Sequence, residues 1–153
     1  MEQQLVVFDL AGEAYGINIA TVESIIKMQT ITQLPQSKPY IMGVTNLRGA
    51  VIPVIDLRIR FGLEAEKATR QTRIMIVSMG NLKVGVVVDG VSEVLRVPDE
   101  AIEPLPPTVS AVNSTFLKGI INFDKRLIIS LELGRVLDID EQQSLAAMQI
   151  KAS

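Results

Sequence analysis

An internal repeat restricts this chain more than any other feature. Displaced by 69 positions, Gly16 falls on Gly85, Ile17 on Val86, Val22 on Val91, Ile25 on Val94 and Lys27 on Arg96. Further along, the displacement is 76. Gly43 falls on Gly119, Asn46 on Asn122, Leu47 on Phe123, Ile52 on Ile128, Asp56 on Glu132, Leu57 on Leu133 and Phe61 on Leu137. Apolar matches alone recur between any two β-rich segments. The paired glycines, asparagines and acidic-Leu steps mark a duplication. Half of a 153-residue chain is a poor folding unit, because at that size only about 60% of the unfolded surface is buried. The halves are therefore expected to pack on each other over an apolar seam. They form a single domain over 1–153, with lobe one near 14–66 and lobe two near 73–137. The terminal segments could exchange between the lobes.

The local pattern is that of short strands. Leu5–Leu10 and Ala14–Ile19 read as a hairpin around Gly12-Glu13, and Val22–Lys27 as a short strand or helical turn. Ile41–Asn46 and Ala50–Asp56 flank Leu47-Arg48-Gly49. Arg73–Met79 and Leu82–Asp89 flank Gly80-Asn81. Val91–Val97 repeats Val22–Lys27, and Phe116–Phe123 with Arg126–Leu131 is the last pair. Leu57 and Phe61 before Gly62 predict one helical turn with a glycine stop. Pro35 and Pro39, then Pro104, Pro106 and Pro107, mark connections. From Asp140, a capping residue with Gln143 three positions later predicts a C-terminal helix. About five short strands per lobe suit closure into small barrels, which hides sheet edges.

Composition removes most chemistries. The chain has no Cys and no His, so thiol and imidazole nucleophiles, bases and metal ligands are excluded, and no metal or cofactor is expected. Fifteen Lys and Arg stand against 17 Asp and Glu, and aromatics make up only 4%. Nucleic-acid binders usually carry a basic excess with stacking aromatics, so that class is not expected. No apolar run approaches the roughly 20 residues of a membrane helix. The N-terminus lacks the basic start and apolar core of a signal peptide, so a cytoplasmic protein with no direct membrane insertion is expected.

One string is specific. Gly43–Leu57 reads G-V-T-N-L-R-G-A-V-I-P-V-I-D-L, and Val84–Leu95 reads V-G-V-V-V-D-G-V-S-E-V-L. In this order of elements, from about Leu5 to Leu137, the chain resembles the CheW-like domains of bacterial chemotaxis. The resemblance implies a mostly β fold. It has two SH3-like five-stranded barrels on a shared hydrophobic core, with short helical turns. It also implies a non-catalytic adaptor that joins the cytoplasmic tips of methyl-accepting chemoreceptors to the regulatory domain of the histidine kinase CheA. With no kinase segments preceding the domain, a stand-alone coupling protein is expected.

Carried onto this chain, the resemblance names two residue sets. Receptor binding is expected at Val22, Ile25, Arg48, Gly49, Val88 and Val91. Arg48-Gly49 is replaced by Asp124-Lys125 in the second half, so the hairpin does not itself require Arg-Gly. Asn46 recurs as Asn122 and is better read as a turn bond. Kinase binding is expected at Leu34, Pro35 and Tyr40 in the first half, and at Leu105 and Pro106 in the second. Pro106-Pro107-Thr108 departs from the acidic-aromatic pair expected at its last two positions, which weakens the second set.

Three alternatives remain on sequence grounds. One is a CheW-like adaptor of another pathway, such as surface motility or second-messenger control. Another is a receiver domain, with Asp9, Asp56 and Lys118 as its acidic and basic groups. The glycines and alternating isoleucines of Ala11–Lys27 oppose the helix a receiver needs there. The last is a carboxylate enzyme, for which no P-loop, G-x-G-x-x-G or G-x-S-x-G string is present.

Overall fold

The structure is a computed structural model and describes residues 1–35, 38–105 and 117–135. Its strands are β1 (Glu2–Leu10), β2 (Glu13–Asn18), β3 (Val22–Lys27), β4 (Ile41–Leu47), β5 (Ala50–Asp56) and β6 (Arg73–Met79). They continue with β7 (Leu82–Val88), β8 (Gly90–Pro98), β9 (Ile102–Glu103), β10 (Leu117–Phe123) and β11 (Arg126–Leu131). A single helical turn, α1 (Leu57–Arg60), follows β5. Asp56 caps it by accepting from the Arg58 N–H at 3.0 Å, and Gly62 follows at φ 81°. The expected C-terminal helix lies outside the described residues.

Two sheets form, in the orders β3-β6-β7-β5-β4 and β8-β1-β2-β11-β10-β9. The repeat is visible in the pairing. Val54 lies beside Gly85 in the parallel β5–β7 pair, and Ser130 beside Gly16 in β11–β2. Bulges recur at matched places: Val22/Ser24 opposite β6 and Val91/Glu93 opposite β1, Ile41/Gly43 in β4 and Leu117/Gly119 in β10.

The sheets do not follow the chain halves. The β1–β2 hairpin joins the β8–β11 strands, and the β6–β7 hairpin joins β3–β5. The ranges 14–66 and 73–137 therefore each supply strands to both sheets. The physical consequence is a core in three parts. Leu5 and Val7 face the second barrel with Ile121 and Ile128. Ile74 and Ile76 face the first barrel with Ile52. The alternate residues Val6, Phe8 and Leu10, and Met75, Val77 and Met79, meet in a larger cluster between the barrels. Strands buried on both faces read as continuous apolar runs rather than alternation, which is why β1 and β6 look as they do. Burial of apolar surface in this central cluster holds the lobes together.

Matched glycines have matched reasons. A Cβ on Gly43 would stand 2.0 Å from the Thr32 carbonyl oxygen, and one on Gly119 would stand 2.4 Å from that of Glu103. At each place an incoming segment pairs with the strand, through the Thr32–Val44 bridge in lobe one and β9–β10 in lobe two.

Candidate partner-binding surfaces

The β4–β5 hairpin closes through a two-residue turn, with Arg48 at φ 53° and Gly49 at φ 87°. Positive φ at both central positions is the type I′ geometry that matches strand twist. The Asn46 Oδ1 accepts from the Gly49 N–H at 3.0 Å, the turn bond expected of that residue. Arg48 is fully available: its side chain is exposed and has no ion-pair or hydrogen-bond partner among the described residues. The Gln29 side chain, which sequence reasoning missed, donates to the Asn46 carbonyl at 2.7 Å and to Thr45 Oγ1 at 2.8 Å. It ties the turn to the segment that leaves β3, so Arg48-Gly49 and the end of β3 share one end of the first barrel. A lone Gln carries no sequence signal for this.

The remaining receptor candidates divide. Ile25 is 40% exposed on the outward face of β3, beside exposed Glu23 and Lys27. Val22 and Val91 are half-buried and pack at the edge of the central cluster, one from each lobe. Val88 is a correction. It is 0% exposed inside that cluster and has no surface to offer a partner. In a strand buried on both faces, alternation does not separate a groove valine from a core one.

Of the kinase candidates, Pro35 is exposed and Leu34 half-buried. Leu34 lines an open cleft of about 470 Å³ with Ile31, Lys38, Pro39, Met42 and Ile59. Tyr40 is a second correction. It is 8% exposed in the central cluster, with the Arg60 guanidinium 5.3 Å from its ring centroid. Packing and this cation–π contact hold its ring. Leu105 is half-buried just after β9, the repeat counterpart of the Thr32 bridge. Pro106 lies outside the described residues.

Asp56, the receiver alternative's phospho-acceptor, is buried to 9% exposure as the α1 cap. Burial raises its pKa, against the backbone N–H bonds and Arg58, which lower it. The antiparallel hairpins and swapped sheets are not a receiver's alternation of parallel strands and helices. Among the described residues no cluster of three metal-ligating side chains forms, and no helix is long and apolar enough to cross a membrane.

Residues 4–141 match the CheW-like domain family. The chain belongs to the CheW-like family. It is 37% identical over 142 residues to the chemotaxis protein CheW of Bacillus subtilis, covering 93% of this chain and 91% of that one. It is 34% identical over 139 residues to the chemotaxis protein CheW of Klebsiella aerogenes, covering 91% and 84%. The crystal structure of the scaffolding protein TtCheW from Thermoanaerobacter tengcongensis superposes with a TM-score of 0.83 at 38% identity. That match covers 92% of this chain and 96% of that one. The mostly β, two-lobed fold expected of a CheW-like chain is the one observed.

Proposed function

We propose that this CheW-like chain is a non-catalytic, cytoplasmic adaptor that couples chemoreceptor tips to the regulatory domain of the kinase CheA. The observation that carries this reading is the pairing of the two ends of lobe one. One end presents Arg48, unpaired and held outward by a turn whose backbone geometry does not require an arginine. The other presents the cleft bounded by Leu34 and Pro39. A helical receptor tip needs an apolar contact and a polar rim. Ile25, Val22 and Val91 supply the first, and Arg48 supplies the second. The Leu34 cleft sets Ile31, Met42 and Ile59 beside the polar Gln33, Lys38 and Asp56, next to a proline-bounded loop that loses little entropy on docking. Two surfaces on one body are what an adaptor requires, and the absence of Cys and His leaves the chain without thiol or imidazole chemistry.

Co-sedimentation with a CheA regulatory domain and a receptor-tip fragment, separately and together, tests this. A three-way complex is expected. Failure of the chain to bind either partner would overturn the reading.

A further inference from the structure

Among the described residues the backbone crosses between the sheets twice: from β2 to β3 at residues 19–21, and from β7 to β8 at Asp89. The crossings are repeat counterparts, and Ala20 stands where the second has Asp89. They are secured differently. The first is self-contained. Asn18 Oδ1 accepts from the Ala20 N–H at 2.8 Å, and the Thr21 hydroxyl donates to the Asn18 carbonyl at 2.8 Å. The second is tied to both lobes. Arg58, on α1 beside β5 and β7, donates from Nε to Asp89 Oδ1 at 2.9 Å and from Nη2 to Oδ2 at 2.6 Å. Oδ2 also accepts from the Ala11 N–H at 2.8 Å, in the β1–β2 turn of the other sheet. The Asp89 N–H donates to the Asp9 carbonyl at 3.0 Å.

We propose that the Arg58–Asp89 pair is an inter-lobe latch. Asp89 acts as a positioning residue that sets Val91 against Val22 across the seam where a receptor tip docks. A bidentate, charge-assisted pair fixes direction as well as distance. The side chains are 17% and 33% exposed, so the pair is shielded more than an ordinary surface ion pair. Burial raises the Asp89 pKa, but the Arg58 and Ala11 bonds outweigh it and hold the carboxylate below its ordinary range. Asp89 lies two residues before Val91, as Ala20 lies two before Val22, so a change at the latch is passed directly into the seam. Only the docking consequence rests on the adaptor reading; the latch itself does not.

The chain has no native Cys, so Lys27→Cys on β3 and Arg96→Cys on β8, exposed repeat counterparts on different sheets, give a clean pair of spin-label sites. Inter-label distances are measured in this background and with Asp89→Asn or Arg58→Lys added. Arg58→Lys keeps the Ala11 bond to Asp89 and so guards against simple misfolding. The expected result is a broadened or shifted distance distribution in both variants. Receptor-tip binding should weaken about tenfold, with kinase-domain binding changed less than twofold. An unchanged distribution in both, or equal loss of both partners with a lowered Tm, would overturn the latch. If the unaltered chain binds no receptor fragment, the adaptor reading fails, while the distance measurement still decides the latch.

Discussion

The β4–β5 and β10–β11 turns occupy equivalent places in the two lobes and have the same backbone conformation. Arg48 and Gly49 stand at φ 53° and 87°, Asp124 and Lys125 at 52° and 63°. One turn uses the glycine that a left-handed position favours; the other holds a lysine there without one. The fold thus dictates the shape of the turn and leaves its residues free. Surroundings differ as well. Beyond the second turn, Arg126 pairs with Glu93 on β8, while Phe123 and Leu127 are 38% and 60% exposed. In the first lobe the counterparts Leu47 and Val51 are half-buried, and the adjacent charge, Arg48, is unpaired. Duplication has kept the scaffold and let the two rims diverge.

The largest effect is expected where the lobes are most alike. Gly43→Ala should cost about 3 kcal/mol or more, since its Cβ would meet backbone at a φ of 145°. Gly119→Ala should cost nearly as much, while Gly134→Ala, with open space around it, should cost under about 0.5 kcal/mol. Urea unfolding measures all three. Equal midpoints would mean that the incoming segments give way, and that the glycine match is not a packing requirement.

The next effect separates the rims. Arg48→Glu should weaken receptor-tip binding about tenfold, or ~1.4 kcal/mol, with stability unchanged, and Lys125→Glu should leave that binding alone. Titration calorimetry with each variant reads this directly. Equal losses would place receptor contact on both lobes.

A smaller effect comes from the turn backbone. Lys125→Gly should stabilise the chain by about 1 kcal/mol and Gly49→Lys should destabilise it by a similar amount, because only glycine is unstrained at these angles. Thermal unfolding of the two variants should move in opposite directions.

The smallest concerns Asp56 and its counterpart Glu132. Asp56 is buried, whereas the Glu132 side chain is 41% exposed beside Lys118 at 3.6 Å. Burial raises the Asp56 pKa in the fold, so its charged form opposes folding at neutral pH. That opposition fades as pH falls through the raised value. Asp56→Asn, which can still cap α1, should gain slightly over the parent at pH 7. The gap should close toward acid. A gap that widens toward acid would reverse the sign and refute this account.

Much of this was legible beforehand. Ala50–Asp56, Arg73–Met79 and Arg126–Leu131 begin and end as their β-branched runs suggest, and Gly62 closely follows α1. Asn46 makes its turn bond because that bond is local. Val88 and Tyr40 stand beside loops or edges in sequence, and only the packing of the central cluster shows that both are buried. Gln29, Arg58 and Asp89 escaped notice for a similar reason. Each acts on a partner 16 to 78 positions away, and spacing says nothing about such pairs.

The sequence alone determined the duplication, most strand positions and the absence of thiol or imidazole chemistry. These follow from local steric rules, side-chain periodicity and composition. The tertiary structure decided which hairpin joins which sheet. Backbone ladders are the same for every residue, so pairing partners are chosen by what both faces can bury. Exchange of the β1–β2 and β6–β7 hairpins gives each of these runs an apolar neighbour on both sides. That choice created the central seam, the two unequal crossings and the latch at Asp89.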